Sequence, residues 1–439
     1  MTICDKDRLI ADLQKLVAVP SISADPSREQ DVHRSARIIS DSFRSIGVAT
    51  QVVCMEGGLP AVIGRIDGPE NAPVVLLYAH HDVQPVGDES VWQSDPFVVT
   101  CRGGRLYGRG TADDKGAIAV HLEALRQLGH DLPVSVVVLI EGEEEIGSPT
   151  LEALLAEHAH AVRADYVLAL DSVNADVRVP SITTSLRGLL NVLITVRTAS
   201  HPVHSGVFGG AVPDSLTALV RLLSTMTDEK GQVSVKGIQP GTRTAADSPL
   251  LDGISGQAGL LAGVDLIGDG PIAQRVWNAP ALSVTGIDAP DAVGAANVLL
   301  PSARAAVSIR LSPEQDPASA LQAVEDHLRE HAPWGVAVEI EPCAVGAGWR
   351  ADQNSPAFDL VRHILTDAFG TSAVGLGVGG GIPFIASLSA AMPSAEVLVT
   401  AIQDPYSQAH APDESVALSS LVSAATAEIE ILRRLGTQA

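Results

Sequence analysis

The stretch PVVLLYAHHDVQP, residues 73–85, decides the fold of this chain, because it joins an apolar run to a cluster of histidine and aspartate. The run from Pro73 to Tyr78 is continuously apolar, a pattern typical of a strand buried on both faces of a parallel sheet. Similar apolar runs recur at 133–141, PVSVVVLIE, and at 165–170, DYVLAL. Each run ends at, or is followed by, an acidic residue or a histidine. This placement matters because an open α/β sheet binds its ligand at the carboxyl ends of its strands.

Amphipathic helices alternate with these apolar runs in the first part of the chain. Hydrophobic residues recur there at helical spacing. The helical segments are residues 5–17, with Asp5 as a plausible N-cap, and residues 28–47, 115–128 and 149–158. This alternation predicts an α/β domain with a mostly parallel sheet covered by helices.

The pattern changes after about residue 188 and changes back at 347. The intervening residues contain strands at 189–198, 303–311 and 335–342, helices near 213–227 and 315–330, and a Gly-rich polar stretch at 228–290 without a clear pattern. One sheet with two helices on one side would account for this order. The sequence therefore predicts a discontinuous α/β domain, 1–188 and 347–439, with an inserted α+β domain at 189–346.

The composition is that of a folded globular protein. The chain has 439 residues, more than one ordinary hydrophobic core accommodates, with 46% hydrophobic and 18% charged residues. Its formal net charge of -23 argues against partners such as nucleic acid or an anionic membrane, because the field of the protein repels phosphate. An acidic chain also tolerates bound cations. The alternative interpretation is that the acidity only keeps the protein soluble.

The cysteines and apolar segments favour a cytoplasmic protein. Cys4, Cys54, Cys101 and Cys343 lie far apart without a CxxC pair, so we expect neither a disulfide framework nor a structural zinc module. The N-terminal stretch MTICDKDRLIADLQKL lacks the apolar core of a signal peptide. No uninterrupted apolar run reaches about 18 residues, so the sequence predicts no transmembrane helix.

The first candidate functional residues follow the apolar run that ends near residue 79. Strand periodicity places His80 and Asp82 on one face and His81 on the other. An aspartate two residues after a histidine can hold the imidazole N–H and raise the basicity of a metal ligand. A purely structural histidine at the strand end is the alternative.

Two acidic segments supply further oxygen donors. In LYGRGTADDKG, Asp113 and Asp114 precede a predicted helix, where an ordinary helix cap is the alternative interpretation. In EGEEEIGS, residues 141–148, four glutamates follow directly on a buried strand. Crowded like charges repel one another unless a cation compensates them or one carboxyl stays protonated. This segment therefore suits a metal ligand and a general base better than a solvated loop.

Asp171, after the third apolar run, and His410, in a polar loop, complete the candidate set. Each is a weak signal alone, but together the five segments offer two histidines and at least three carboxylates without a thiolate. Such ligands suit zinc, manganese or cobalt in a hydrolytic site. Two ions about 3.5–4 Å apart can polarise a carbonyl and activate a water, while a further glutamate moves the proton.

In their order along the chain, these segments resemble the M20 metallopeptidases, in particular the dipeptidase or carnosinase-like branch. The resemblance runs from VPSIS at 19–23 to AHAPDES at 409–415, through YAHHDVQP, LYGRGTADDKG, EGEEEIGS and HSGVFGG at 204–210. It implies a zinc-exopeptidase-like catalytic domain, which the discontinuous α/β domain would form. The insert would be the lid domain, which in the family forms the homodimer interface.

The resemblance also implies the ligands of two divalent metal ions. His80, Asp113 and Asp171 would bind one ion, and Asp113, Glu145 and His410 would bind the other. Asp113 would therefore bridge the two ions.

Catalytic roles follow from the same resemblance. Glu144 resembles the general base of the family, and Asp82 resembles the aspartate that supports His80. The position of Asp113 is usually followed by a cis peptide bond.

Residues of the predicted insert and of a nearby turn resemble substrate-binding residues. His204 resembles the lid histidine that stabilises the tetrahedral oxyanion, and Arg310 resembles the arginine that clamps a free substrate carboxylate. The turn that contains Gly380 and Gly381 resembles a substrate-contacting loop. The alternatives are a turn cap for His204 and an ordinary surface role for Arg310.

We therefore expect a metallopeptidase that uses two divalent ions, zinc in the first place, to cleave an amide bond of a dipeptide or small peptide-like substrate. Glu144 would deprotonate the attacking water and protonate the leaving amine. By the resemblance, Asp171 in place of a glutamate as the third ligand of the first ion favours dipeptides, with N-acyl amino acids as the alternative substrates. A non-catalytic amino-acid-binding relative is the alternative from another class, but it would lack a ligand or the base.

Overall fold

The computed structural model describes residues 4–242, 251, 253–380 and 383–437. The chain forms two structural units, which are described separately. Unit 1 comprises Met1–Thr184, Ala351–Leu376 and Pro383–Ala439, and unit 2 comprises Ser185–Arg350 and Gly377–Ile382.

Strands and helices alternate along much of the chain. Within the described residues the strands are β1 (Ala49–Val53), β2 (Ala61–Ile66), β3 (Val74–His80), β4 (Thr100–Arg102), β5 (Arg105–Tyr107), β6 (Ser135–Glu141), β7 (Tyr166–Ala169), β8 (Ser181–Leu186), β9 (Gly188–Arg197), β10 (Val203–His204), β11 (Ala281–Asp288), β12 (Val298–Leu299), β13 (Ser302–Leu311), β14 (Ala337–Gly346), β15 (Trp349–Arg350), β16 (Val374–Val378), β17 (Glu396–Val399) and β18 (Ser415–Ala417). The α-helices there are α1 (Lys6–Val17), α2 (Glu29–Arg44), α3 (Lys115–Leu128), α4 (Leu151–Glu157), α5 (Ala159–Val162), α6 (Ser205–Phe208), α7 (Ser215–Leu223), α8 (Ile254–Gln257), α9 (Ile272–Trp277), α10 (Pro317–Glu330), α11 (Pro356–Phe369), α12 (Pro383–Ala391) and α13 (Leu418–Leu435).

Unit 1 is built on a six-stranded sheet of order β1-β2-β6-β3-β7-β17. The four strands β6, β3, β7 and β17 run parallel to one another, whereas β2 pairs antiparallel with both β6 and the edge strand β1. Every residue of β6 is buried, because the sheet is covered by helices that include α3 on β3 and α5 on β6. The expected α/β fold with a mostly parallel sheet is confirmed.

Local sequence sets where one helix of unit 1 begins, and tertiary pairing sets where another begins. The Asp5 side chain caps α1 by accepting hydrogen bonds from the backbone N–H groups of Asp7 and Arg8. For the last helix, the apolar periodicity of the sequence predicts the range 413–434. The observed helix begins only at Leu418, because the preceding residues form β18 and pair with β5. Tertiary pairing therefore shortened a helix that its periodicity alone predicted to be longer.

Unit 2 contains a four-stranded antiparallel sheet of order β11-β13-β9-β14. Alternate residues of β9 are buried in one cluster with residues of α7 and α10, so both helices cover the same face. The expected arrangement of one sheet with two helices is therefore present. The strand β11 was missed, because it lies at an edge of the sheet and most of its residues are exposed, so it carries no hydrophobic alternation.

In the part of the chain that the structure describes, no helix combines the length and apolarity needed to cross a membrane. The four cysteines all lie in that part and are free thiols, of which only Cys4 is buried.

Candidate metal centre

Three neighbouring parallel strands of unit 1 end at the same edge of the sheet. The strand β3 ends at His80, which stands opposite Glu141, the last residue of β6. The strand β7 ends at Ala169, and Asp171 follows two residues later. Because the strands are parallel, one edge of the sheet collects the polar residues that follow them.

The first group of ligand atoms comes from His80, Asp113 and Asp171, whose nitrogen and carboxylate oxygens all lie within 4.8 Å of one another. His80 Nε2 lies 3.1 Å from Asp113 Oδ1. All three residues are buried, and His80 is fully buried. Asp113 reaches the group from the loop before α3, so α3 and two strands position these atoms together.

The second group comes from Asp113, Glu145 and His410, again with ligand atoms within 4.8 Å of one another. His410 Nε2 lies 2.9 Å from Asp113 Oδ2 and 3.1 Å from Glu145 Oε2. The two oxygens of Asp113 therefore face different histidines, which is the arrangement of a bridging carboxylate. The His410 side chain is 55% exposed, so this group opens to solvent.

The pKa values of the residues in the two groups are shifted, because their carboxylates are buried and close together. Burial raises the pKa of Asp171 to about 7, and the charge of Asp113 adds to the shift. Hydrogen bonds to Asp113 and then to Glu145 raise the pKa of His410 to about 10. Burial disfavours protonated His80, but hydrogen bonds to Asp113 and Asp82 outweigh it and hold the pKa of His80 well above its usual value. The groups therefore favour a nearby positive charge.

The donor set fits divalent metal ions. A cation among these atoms would stabilise the ionised form of Asp171 and leave both imidazoles neutral as ligands. Imidazole and carboxylate donors without thiolate suit zinc, manganese or cobalt. Two ions could thus be held, with Asp113 shared between the two groups.

Asp82 supports both the histidine and the glutamate segment. It is fully buried, and its Oδ1 lies 3.4 Å from His80 Nδ1. Its two oxygens accept hydrogen bonds from the backbone N–H groups of Glu144 at 3.2 Å and of Glu145 at 3.0 Å. One carboxylate therefore orients a histidine of the first group and the segment that supplies the second.

Contacts distinguish the four glutamates of the acidic segment. Glu141 accepts a hydrogen bond from the Tyr78 hydroxyl at 2.6 Å. Glu143 accepts from the backbone N–H of Leu59 and from Thr150. Glu145 faces His410 in the second group.

The fourth glutamate, Glu144, is the one whose carboxylate accepts no hydrogen bond from the described residues. Burial raises the pKa of Glu144 well above the usual value, although the charge of His80 acts to lower it. A carboxylate with this freedom and a raised proton affinity is suited to act as a general base.

The loop before α3 contains an unusual peptide bond. The Asp113–Asp114 peptide bond is cis, as the resemblance implied. Neither aspartate side chain caps α3 with a hydrogen bond, so the alternative of an ordinary helix cap does not describe this segment.

Residues of unit 2 expected to bind substrate are placed as follows. His204 is exposed, and its Nδ1 accepts a hydrogen bond from the Gly206 N–H at 3.0 Å, so it does cap the turn at α6. The proton of the neutral ring is then on Nε2, which is a donor. Arg310 is half-buried on β13, and its guanidinium has no hydrogen bond or ion pair among the described residues. Gly380 is described, whereas Gly381 lies outside the described residues.

Several buried charged residues were not predicted from the sequence. Arg187 is nearly buried in unit 2, and its Nε donates a hydrogen bond to the Gly379 carbonyl at 3.0 Å. Burial, with a contribution from the Arg310 charge, lowers the pKa of Arg187 to about 10. In unit 1, Glu414 and Arg109 form a buried ion pair at 2.7 Å. The only sequence signal for Glu414 was an acidic residue in the segment after His410.

Comparisons with known proteins agree with this geometry. The model of Peptidase family M20/M25/M40 matches residues 76–434. The chain is 33% identical to a cysteinylglycine-S-conjugate dipeptidase of Corynebacterium striatum over 440 residues, which cover 98% of this chain and 96% of the relative.

Solved structures give the same result. An M20 family metallo-carboxypeptidase of Sulfolobus solfataricus superposes with a TM-score of 0.84 at 25% identity, over 98% of this chain and 99% of that one. Human carnosine dipeptidase 1 is similar in fold, with a TM-score of 0.80 at 23% identity over 98% of this chain and 96% of that one.

The chain belongs to Peptidase family M20/M25/M40. The expected family and the expected enzyme class, a metallopeptidase, are confirmed. The comparisons leave the identity of the metal and the oligomeric state as predictions.

Proposed function

We propose that the protein is a zinc-dependent dipeptidase that hydrolyses the amide bond of a dipeptide or a small peptide-like substrate with a free carboxylate. The observation that carries this proposal is the pair of three-residue ligand groups that share Asp113. Membership of the peptidase family supports it, as do the names of a relative and a structural neighbour, which are dipeptidases.

In this proposal, His80, Asp113 and Asp171 hold one ion, and Asp113, Glu145 and His410 hold the other. Two bound divalent ions would polarise the scissile carbonyl and lower the pKa of the attacking water. Zinc is the first candidate, with manganese or cobalt as alternatives that accept the same ligands.

The chain itself supplies the proton transfers. Glu144 accepts the proton of the attacking water and then delivers it to the leaving amine nitrogen. Asp82 accepts a hydrogen bond from the backbone N–H of Glu144 and so fixes the backbone from which the Glu144 side chain projects. In the metal-free protein, burial raises the pKa of Glu144 above its usual value, so this carboxylate holds a proton more readily than an exposed glutamate does.

Residues of unit 2 are proposed to bind substrate. His204 would stabilise the oxyanion through its Nε2 proton. Arg310 would clamp the substrate carboxylate, a role supported by its lack of a carboxylate partner among the described residues and by the second positive charge of Arg187. Gly380 and Gly381 would contact substrate through their backbone. A homodimer formed through unit 2 and a cytoplasmic location remain predictions.

Replacing Glu144 with Gln tests the proton-transfer role. The variant should keep both metal ions while kcat falls by about 10²–10⁴-fold, since a positioned acid–base group contributes that much. Glu143→Gln is the matched control, because Glu143 lies next to Glu144 and its carboxylate is hydrogen-bonded, within the part of the chain that the structure describes, to Leu59 and Thr150 alone. Metal content and kcat are measured for both. Near-normal turnover of Glu144→Gln would show that Glu144 is not the base.

A substrate panel with defined metals tests the substrate class. Dipeptides should be cleaved faster than N-acetyl or N-succinyl amino acids, and zinc, manganese and cobalt are compared on the same dipeptide. A clear preference for N-acyl amino acids would make the protein a deacylase of the same family instead.

A further inference from the structure

The buried carboxylate of Glu414 lies four residues after the candidate ligand His410. Its Oε1 accepts hydrogen bonds from the backbone N–H groups of Ala112 at 2.9 Å and Asp113 at 3.1 Å. Its Oε2 accepts from the Gly110 N–H at 2.9 Å and from Arg109 at 2.7 Å. The side chain is fully buried, so no solvent competes for these four donors.

The four donors all belong to the short segment that leads into Asp113. Gly110 has a φ of +84°, and a Cβ there would lie 2.8 Å from Val83, so the conformation in which its N–H donates to Glu414 favours glycine at this position. Arg109 is 1% exposed, and its second amino group donates to the Pro85 carbonyl at 3.1 Å. The segment is thus tied to Glu414 on one side and to the loop after His80 on the other.

Two further ion pairs join the same two parts of the chain. Arg102 lies 3.2 Å from Asp413, and Arg105 lies 3.0 Å from Asp404. Arg109 and Glu414 are 305 residues apart in sequence, and their pair is the most buried of the three. These contacts hold the loop of His410 against the loop of Asp113.

The orientation of Asp113 depends on this arrangement. One of its oxygens lies 3.1 Å from His80 and the other 2.9 Å from His410. Its own N–H is bonded to Glu414, so a change at Glu414 moves the backbone from which the shared carboxylate projects. A hydrogen-bonded partner behind a ligand sets the ligand's orientation and affinity.

We propose that Glu414 is a positioning residue that aims the carboxylate of Asp113 at both ligand groups and ties it to the loop of His410. This inference rests on the proposed metal-dependent function. The Glu414 carboxylate belongs to neither group of candidate ligand atoms. It acts through the backbone N–H groups of Gly110, Ala112 and Asp113 and through Arg109.

Glu414→Gln in the full-length protein tests the inference. An amide presents an NH₂ group where the carboxylate now faces only N–H donors, so at least one pair of donors loses its acceptor. Both metal affinities should fall by about 10–100-fold, the usual effect of losing a partner behind a ligand. Affinity is measured by chelator competition with zinc. The absorption spectrum of the cobalt-substituted protein is measured in parallel, because it reports ligand geometry without relying on turnover.

Glu123→Gln is the matched control. Glu123 is also fully buried, pairs with Arg126 at 3.1 Å and accepts a backbone N–H from Asp5 at 2.8 Å, but it touches no candidate ligand segment. It should lower thermal stability without changing zinc affinity or the cobalt spectrum. Equal losses of zinc affinity in the two variants would overturn the inference, because the effect would then be one of general stability.

Glu414→Asp provides a second variant if Glu414→Gln does not fold. It keeps the charge beside Arg109 but is one methylene too short to bond both Gly110 and Asp113, so a smaller loss of zinc affinity is expected. Wild-type affinity and spectrum in either variant would refute the positioning role alone. A wild-type protein that binds no metal would refute the proposed function, and with it this role.

Discussion

Replacing Asp113 with Asn should weaken metal binding at both ligand groups, whereas replacing a ligand of one group should weaken one. The carboxylate oxygens of Asp113 are divided between the groups, one facing His80 and one facing His410. Asn keeps one oxygen and replaces the other with an NH₂ group that does not bind a cation, so the change removes the negative charge and one of the two shared oxygens. Asp171→Asn and Glu145→Gln are the matched variants, because each removes one charge from one group.

The size of the effect follows from the separation of the ligand atoms. They lie within 4.8 Å of one another, so an ion among them is less than about 4 Å from the Asp113 carboxylate. Two unit charges about 4 Å apart interact by about 4 kcal/mol at an effective dielectric constant of about 20, and a divalent ion doubles the charge. Since about 1.4 kcal/mol is tenfold in affinity, each site should lose at least about 10³-fold.

Metal stoichiometry at a fixed free zinc concentration is the assay. At a concentration that saturates the wild type at two equivalents, Asp113→Asn should bind none, whereas Asp171→Asn and Glu145→Gln should each bind one. Loss of one equivalent in Asp113→Asn would refute the shared ligand. Loss of both equivalents in Asp171→Asn, with a folded protein, would refute the division of ligands between two groups.

Three further results are expected. Chelation of the zinc-loaded protein should lower the thermal unfolding midpoint of unit 1 by about 10 °C. With free zinc at about 100 times the Kd, two sites contribute about 5 kcal/mol to the stability of a unit of about 270 residues. An unchanged midpoint in calorimetry would contradict metal binding to the folded state. In metal-free protein, folding raises the pKa of Asp171 from 3.8 to about 7. Between these pH values the folded chain retains a proton that the unfolded chain releases. The free energy of unfolding therefore falls as pH rises through that window. Asp171→Asn should therefore be more stable than wild type at pH 8, by at most about 4 kcal/mol, and similar at pH 4, as urea unfolding with chelator present would measure; a difference independent of pH would contradict the raised pKa. Asp82→Asn should lower kcat by about 10–100-fold, because Asp82 orients His80 and holds the N–H groups of Glu144 and Glu145; unchanged kinetics would remove Asp82 from the site.

Local sequence was sufficient for the elements that carry the site. The apolar runs at 73–79 and 133–141 correspond to β3 and β6, because strands buried on both faces need apolar residues at every position. Helix α3 was predicted with its observed bounds, Lys115–Leu128. The edge strand β11 was not predicted, because an exposed edge imposes no such pattern.

The separate roles of neighbouring glutamates could not be predicted from the acidic segment itself. Family resemblance pointed to Glu144 and Glu145, but the physical distinction lies in their partners. The Glu141 carboxylate bonds to Tyr78, 63 residues away in the sequence, and the Glu143 carboxylate bonds to Leu59, 84 residues away. A run of identical side chains carries no local information about which of them finds a partner.

The sequence by itself determined the family, the parallel sheet and the residue types available for a metal site, because these depend on local periodicity and on short motifs. The tertiary structure alone decided how Asp113 divides its oxygens between His80 and His410, and that Glu414 holds the backbone of Asp113 from about 300 residues away. The physical reason is that both facts depend on distances between atoms of segments that lie far apart in the sequence. Only the packing of the sheet, α3 and the loop after β17 sets those distances.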